Sequence, residues 1–308
     1  MGTPDFAVAS LAALLAAGHE VVGVVTATDK MGGRGGKQLI ESDVKKYAVQ
    51  HGLRVLQPEK LKNPDFLAEL RDLQAEIQVV VAFRMLPEAV WNMPPLGTIN
   101  LHGSLLPRYR GAAPINWAII NGEAETGVST FFLQQEIDTG DLLLQSKTDI
   151  GEAETFGDLY DRLKIIGAQT IIDTLYMVQN GTHQGIPQNS ALATAAPKIF
   201  AETCQIDFAQ STQQVFDFIR GLSPHPTAWC YLDNAVFKII SATKRLEAHD
   251  FAAGTIVSVS KKQIEIATLD GFIAPTQVQP AGKKRMPIAD FLNGYTVQST
   301  EITFVNNL

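Results

Sequence analysis

Residues 97–107 read GTINLHGSLLP, and this stretch joins a short apolar strand to two polar side chains and a turn. The run at residues 97–101 is typical of a short buried strand. Asn100 and His102 are two residues apart, and side chains at that spacing on a strand project to the same face. The Gly-Ser-Leu-Leu-Pro segment that follows predicts a turn. The stretch therefore predicts an amide and an imidazole that point together at the end of a strand.

Strand-like and helix-like segments alternate on both sides of this stretch, as far as residue 180. Apolar runs predict strands at residues 21–27, 77–83, 97–101 and 127–133. Helical patterns predict helices at residues 5–17, 38–51, 64–73, 114–120 and 155–180. Apolar strands separated by helices are typical of a doubly wound sheet. We therefore expect a Rossmann-like α/β domain with a mostly parallel sheet over residues 1–180.

The chain changes character after residue 180. Residues 181–201 are rich in Gly, Pro, Gln and Asn with little periodicity, and they predict a linker. The remainder, 202–308, begins with a predicted helix and continues with short strand-like runs at 228–232, 237–246, 254–259, 263–268 and 272–279. Short strands at close spacing predict a smaller carboxyl-terminal β-barrel that resembles the OB fold.

The amino terminus departs from this fold class. A doubly wound domain usually begins with a buried strand that leads into a glycine turn and a helix. Gly2, Thr3 and Pro4 have the character of that turn, but only Met1 precedes them. We therefore expect the first strand of the domain to be missing from this sequence.

Composition excludes several classes of protein. The 308 residues are 45% hydrophobic and 19% charged, without an apolar run long enough for a transmembrane helix or a secretory signal. The two cysteines and six histidines show no metal-binding spacing, so we expect no metal and a cytoplasmic location. A net charge of −7 argues against general nucleic-acid binding, so any contact with RNA must come from local basic clusters.

A second motif, Asp-Thr-Gly-Asp at residues 138–141, follows His102 by 36 residues. Together the two motifs resemble those of the folate-dependent formyltransferases, and within that family the members that act on tRNA. The resemblance extends from Gly2 almost to the carboxyl terminus. It implies transfer of a formyl group from 10-formyltetrahydrofolate to the α-amino group of methionine on initiator tRNA. It also implies that Asn100, His102 and Asp138 are catalytic. We expect the chain to act as a monomer.

The chemistry of this reaction suits these residue types. An amine attacks the formyl carbon, and negative charge develops on the formyl oxygen. Asn100 and a protonated His102 can each donate a hydrogen bond to that oxygen, and one such donor is typically worth about 3 kcal/mol. A nearby carboxylate, Asp138, favours the protonated imidazole and can relay protons through water.

The resemblance assigns two further segments to the folate site. Ser104, Leu105, Leu106 and Pro107 match the segment that lines the tetrahydrofolate site. Phe83, Met85 and Leu86 match the loop beside the pterin.

Two basic segments are candidates for RNA binding. A glycine-rich loop at residues 31–37 contains Arg34 and Lys37 and follows a predicted strand. The resemblance implies that this loop is the insert with which tRNA-specific members hold the acceptor end. Lys283, Lys284 and Arg285 form a basic run in the second domain, and barrels of this type often bind oligonucleotides. Taken alone, each segment is also compatible with a solvated surface loop.

Two other functions fit the same folate motifs. The formyl acceptor could be an amino sugar or its nucleotide, although the basic segments argue against it. Alternatively, a chain that lacks the first strand could be a non-catalytic module that binds folate or RNA.

Overall fold

Strands and helices alternate up to residue 196, and strands dominate thereafter, in a computed structural model that describes residues 1–33 and 35–302. The helices before residue 197 are α1 (Asp5–Ala16), α2 (Asp43–Gln50), α3 (Pro64–Asp72), α4 (Glu88–Trp91), α5 (Pro114–Ile120) and α6 (Phe156–Gln179). The strands of this part are β1 (Val24–Val25), β2 (Lys30–Gly32), β3 (Gln38–Ile40), β4 (Val55–Leu56), β5 (Gln78–Val81), β6 (Thr98–His102), β7 (Arg110–Gly111), β8 (Glu125–Phe132), β9 (Leu142–Asp149) and β10 (Ala195–Ala196).

The rest of the chain contributes two helices and six strands to the described structure. They are α7 (Thr212–Gly221), β11 (Ala228–Leu232), β12 (Ala235–Leu246), β13 (Ile256–Val259), β14 (Ile264–Ala267), β15 (Gly271–Pro280), β16 (Met286–Pro287) and α8 (Ile288–Asn293). Short 3-10 helices form at Ser190–Leu192 and Glu202–Cys204. Among the described helices, none is both long enough and apolar enough to cross a membrane.

The chain divides into two units. Unit 1 consists of Met1–Pro114, Thr126–Thr148 and Tyr160–Ala196. Unit 2 consists of Ile115–Glu125, Asp149–Leu159 and the chain from Pro197 onward. Residues 181–196 thus belong to unit 1, where they pack beside the candidate site.

The main sheet of unit 1 has the strand order β5-β6-β8-β9. Strands β5 and β6 are parallel, whereas β6 and β8 are antiparallel. Strand β9 was not predicted, because only its first two residues are buried and the run lacks an apolar pattern. The α/β class predicted from the sequence is confirmed, with antiparallel pairing where β8 joins the sheet.

The glycine-rich segment forms a hairpin. The predicted helix 38–51 is wrong in its first turn, because Gln38–Ile40 pairs antiparallel with Lys30–Gly32. Gly33 and Gly36 in the connecting turn have φ values of +74° and +68°, which suit glycine. Helix α2 begins only after Ser42, whose hydroxyl accepts a hydrogen bond from the Lys45 amide at 3.0 Å.

Met1 and Gly2 lie between β1 and β5. The Met1 carbonyl accepts from Val81 N at 2.9 Å, and Gly2 N donates to Val25 O at 3.0 Å. The Met1 α-amino group donates to Val79 O at 2.6 Å. A cavity of about 480 Å³ adjoins these residues and is lined by β1, by residues 77–79 and by Ser10, among others. Two residues therefore connect β1 and β5 through backbone hydrogen bonds.

Unit 2 is built on one antiparallel sheet. Its strand order is β11-β12-β15-β14-β13, with β16 paired to β15. Helix α7 begins with a capping box between Ser211 and Gln214 and packs its apolar side chains, such as Ile219, into a core with Phe208 and Ile239. In the described residues the edge strands β11 and β13 are not paired to each other, so no closed barrel is found. The carboxyl-terminal β-sheet domain is confirmed, but the barrel is not.

Candidate active site

His102 lies at the carboxyl end of β6 and is only 6% exposed. Its Nε2 is 2.8 Å from the Tyr109 carbonyl oxygen. A carbonyl can only accept, so Nε2 carries a proton and donates it. Nδ1 faces Asp138 Oδ2 at 3.7 Å, which is beyond hydrogen-bond distance but close enough for charge interaction. The backbone at Tyr109 therefore fixes the ring so that Nδ1 is the nitrogen left for chemistry.

Asp138 lies in the loop between β8 and β9 and is 8% exposed. Its φ of +55° is left-handed, which is uncommon for a residue other than glycine. Its Oδ2 accepts a hydrogen bond from Gly111 N at 2.9 Å, and the same oxygen faces His102. Gly140 allows the loop to lie against β8, because a Cβ there would be 1.8 Å from the Phe132 carbonyl oxygen. The loop thus presents one carboxylate oxygen to the imidazole.

Asn100 lies in β6, two residues before His102, and is half-buried. It pairs with Val80 of β5 and Phe131 of β8, so it occupies the middle of the sheet. The alternation of the strand places it on the same face as His102. Its side-chain amide makes no hydrogen bond to any described residue, which leaves both N–H groups available to a ligand.

Two of the residues predicted to line the folate site stabilise the turn after β6. The buried Ser104 hydroxyl donates to Arg108 O at 2.7 Å, and the Ser104 carbonyl accepts from Ser129 Oγ at 2.7 Å. Leu106 packs with Phe131 in a buried cluster. Ser104 and Leu106 therefore shape the turn, whereas Leu105 and Pro107 are half-buried and can contact a ligand.

The loop after β5 carries the residues that were predicted to lie beside the pterin. Leu86 packs into the core of unit 1 and Phe83 lies partly buried against the same core. Met85 is 74% exposed. Because β5 and β6 are parallel neighbours, the loops that follow them meet at the same edge of the sheet. This is the edge at which α/β proteins usually bind ligands.

The predicted RNA-binding residues lie on both units. Lys37 is exposed beside the hairpin turn of unit 1, and Arg34 falls outside the described residues. Lys283 and Lys284 are exposed in unit 2. The Arg285 guanidinium donates to the Pro224 carbonyl oxygen, so it is engaged within unit 2.

Four residues around the His102–Asp138 pair were not predicted from the sequence. Tyr109 and Gly111 act through backbone groups, as described above. Arg110 and Gln188 contact each other through their side chains, and Gln188 also contacts the Asp138 loop. Tyr109, Arg110 and Gly111 follow the stretch 97–107 closely in the sequence, and this proximity to His102 was a usable signal. Gln188 lies in the segment predicted to be a linker, and no pattern marks it.

No metal site is found among the described residues, since no group of three His, Cys, Asp or Glu side chains is arranged to hold one. Cys204 and Cys230 are both free and buried. Burial raises the pKa of the Cys230 thiol to about 12, so this thiol remains protonated at neutral pH.

The sequence matches known families over most of its length. Residues 1–175 match the family described as formyl transferase, and residues 198–296 match the formyl transferase C-terminal domain. The methionyl-tRNA formyltransferase of Parabacteroides distasonis is 52% identical over 305 residues, covering 96% of this chain and 94% of that protein. The methionyl-tRNA formyltransferase of Flavobacterium johnsoniae is 50% identical over 301 residues, covering 96% of this chain and 95% of that protein.

A solved structure shares the fold. The N-formyltransferase of Helicobacter canadensis, in complex with folinic acid and dTDP-3-aminofucose, superposes with a TM-score of 0.67. It is 21% identical and covers 91% of this chain and 97% of that chain. At this identity the likeness concerns the fold.

Proposed function

The chain belongs to the formyl transferase family, and we propose that it transfers the formyl group of 10-formyltetrahydrofolate to the α-amino group of methionyl initiator tRNA. The observation that supports the reaction is the placement of Nδ1 of His102 opposite Asp138, with the free amide of Asn100 on the same strand face. The acceptor is supported by relatives that are named for this tRNA and are about half identical over nearly the whole chain. We place the reaction in the cytoplasm and expect the chain to act as a monomer.

His102 handles the proton in this proposal. Because Nε2 is held by the Tyr109 carbonyl, neutral His102 has its lone pair on Nδ1. Nδ1 can accept the proton that the acceptor amine loses. The resulting imidazolium faces the Asp138 carboxylate, which stabilises its charge. General acid–base catalysis of this kind contributes about 10²- to 10⁴-fold to the rate.

Asn100 and His102 stabilise the charge on the formyl oxygen. The Asn100 amide has no partner among the described residues, and it is held in the middle of a four-stranded sheet. A donor on a rigid strand needs little reorganisation when charge develops, which is the condition for effective oxyanion stabilisation. Protonated His102 can supply a second donor from Nδ1.

The edge residues fit a folate. When bound, 10-formyltetrahydrofolate supplies the formyl carbon that the amine attacks. Phe83 and Met85 on one loop and Leu105 and Pro107 on the other offer partly exposed apolar surface. The two loops are stabilised by a hydrogen bond of Ser104 and by the packing of Leu106 and Leu86 in buried clusters. We therefore propose that the partly exposed side chains, those of Phe83, Met85, Leu105 and Pro107, contact the pterin. The buried residues Ser104, Leu106 and Leu86 support the two loops.

Each unit carries a proposed RNA-binding surface. Lys37 lies beside the hairpin of unit 1, and Arg34 belongs to the same glycine-rich stretch of the sequence. Lys283 and Lys284 belong to unit 2, which we propose to act as an OB-like oligonucleotide-binding module. Lysine ammonium groups at exposed positions can contact phosphates and release counterions. Because its guanidinium contacts Pro224, Arg285 contributes less than the two lysines in this proposal.

Replacing Lys283 and Lys284 together by Gln should raise KM for the tRNA and leave KM for the folate unchanged. Each lost phosphate contact reduces the slope of log affinity against log salt by about 0.9, so the double variant should lose up to about 2 from that slope. Lys60→Gln with Lys62→Gln is the control, since these exposed lysines of unit 1 lie outside the proposed surface. If the control and test variants change alike, Lys283 and Lys284 are not specific RNA contacts.

A transfer assay with three candidate acceptors tests the proposed function. Methionyl initiator tRNA, uncharged initiator tRNA and an amino-sugar nucleotide are each supplied with 10-formyltetrahydrofolate. We expect turnover with the charged tRNA alone. Turnover with the amino-sugar nucleotide in its place would assign the chain to the alternative acceptor class. Folate binding by titration without any turnover would support a non-catalytic module.

A further inference from the structure

Residues 185–196 form a strap along the candidate active site, within unit 1. At one end Ile186 exchanges two backbone hydrogen bonds with Leu142, each 2.9 Å long. At the other end Ala195–Ala196 pairs in parallel with Arg110–Gly111. The strap therefore joins the segment after His102 to the segment after Asp138.

One side chain of the strap contacts both segments. Gln188 Nε2 donates to the carbonyl oxygens of Asp138 and Gly140, at 2.9 Å and 2.8 Å. Gln188 Oε1 accepts from Arg110 Nε at 3.2 Å and from Arg110 Nη2 at 2.7 Å. A side-chain amide has two N–H donors and one oxygen with two lone pairs. Gln188 thus uses its entire hydrogen-bonding capacity on the two segments of the site.

The orientation of this amide follows from its partners. Two carbonyl oxygens on one side require N–H donors, and a guanidinium on the other side requires an acceptor. In the opposite orientation the amide oxygen would face the two carbonyl oxygens, and the amide N–H groups would face the guanidinium N–H groups. Neither Glu nor a hydrocarbon side chain of similar length can satisfy both sides, so the requirement is for glutamine.

The bonds from Gln188 act on a residue whose backbone is left-handed. Asp138 has a φ of +55°, and among the described residues its side chain interacts with Gly111 N and with His102. The carbonyl of the same residue and that of Gly140, two positions on, both accept from Gln188. A shift of this loop would move Oδ2 relative to the imidazole.

We propose that Gln188 is a positioning residue for formyl transfer: its amide, anchored by Arg110, holds the Asp138 loop at the separation from His102 that the reaction requires. This inference rests on the proposed function. In this proposal the strap contributes to the rate of the reaction and not to substrate affinity, although it lies far from the two motifs in sequence.

Two variants of Gln188 test this proposal. Gln188→Met keeps the length and removes all four hydrogen bonds. Gln188→Glu keeps an acceptor for Arg110 but turns an oxygen toward the two carbonyls. A misplacement of about 1 Å can cost about 100-fold, so we expect kcat to fall about 10- to 100-fold in both variants. KM for the folate and for the tRNA should stay within about twofold, because no substrate contact is removed. Gln184→Glu is the control, since Gln184 is exposed in the same part of the chain.

A double variant separates positioning from general structure. If Gln188 acts through Asp138, Gln188→Met should lower kcat no further when Asp138 is already replaced by Asn. The proposal is overturned if the separate reductions in kcat multiply in the double variant. It is also overturned if Gln188→Met and Gln188→Glu both keep the wild-type kcat. Gln188→Glu tests the same point if Gln188→Met does not fold. If the wild-type chain transfers formyl groups and neither Gln188 variant changes kcat, this inference is wrong but the proposed function stands. Absence of turnover in the wild type overturns the proposed function and this inference with it.

Discussion

Replacing His102 by Ala should lower kcat for formyl transfer by about 10²- to 10³-fold while the chain keeps its fold. The imidazole is the group whose Nδ1 faces Asp138, and its Nε2 bond to Tyr109 holds it in that orientation. Ala can neither accept the proton of the acceptor amine nor donate a hydrogen bond to the formyl oxygen. KM should change much less than kcat, because the lost interactions belong to the transition state.

Single-turnover rates with saturating 10-formyltetrahydrofolate and charged tRNA measure this effect. His51→Ala is the matched control, since His51 is exposed at the end of α2 and its ring stacks on Tyr47 and bonds to the Tyr47 carbonyl oxygen within the same helix. Thermal unfolding of both variants shows whether the fold is retained. If His102→Ala is folded and transfers formyl groups at nearly the wild-type rate, the proposed role of the imidazole is wrong.

Replacing Asp138 by Asn should cost about 10²- to 10⁴-fold in kcat, within the range of general acid–base catalysis. The amide oxygen of Asn can still accept from Gly111 N, so the loop keeps that bond. The negative charge opposite Nδ1 of His102 is lost, however, and the imidazolium that forms during the reaction is no longer stabilised. The variant thus removes charge with little change of shape.

Asp141→Asn provides the comparison for Asp138→Asn. Asp141 belongs to the same Asp-Thr-Gly-Asp motif, and the same substitution there removes the same charge three residues away. We expect Asp141→Asn to retain most of the activity, since Asp141 lies beside Gly185 of the strap rather than at His102. Equal losses in the two variants would show that net charge of the loop, and not the carboxylate at His102, controls the rate.

Local patterns predicted many of the elements that hold the site. The predicted helices at 5–17, 64–73 and 155–180 are confirmed within one residue at each end by α1, α3 and α6. The apolar runs around 77–83 and 97–101 became β5 and β6, because buried strands in a parallel pair are apolar on both faces. The roles of Asn100, His102 and Asp138 remain predictions, although the structure does place His102 and Asp138 together.

Other elements depended on contacts that no local pattern records. Gln38–Ile40 joined a hairpin rather than a helix, because pairing with Lys30–Gly32 prevailed over its helical pattern. Strand β9 has mixed polarity and is held by its neighbour β8. In unit 2 five of the six described strands were predicted from their spacing, and the two-residue strand β16 was not. Closure of a sheet depends on how its edge strands meet, which spacing does not specify.

The sequence by itself determined the α/β class, the order of most elements, the family resemblance and the common face of Asn100 and His102, because each of these follows from local periodicity or a contiguous motif. Only the tertiary structure decided which imidazole nitrogen is left for chemistry, how the Asp138 loop is held and that Gln188 holds it. These features depend on backbone carbonyl and amide groups, which every residue has, and on partners up to 78 positions apart. Residue type and spacing do not specify which backbone groups meet or that Gln188 reaches the Asp138 loop, so these contacts become visible only when the chain is folded.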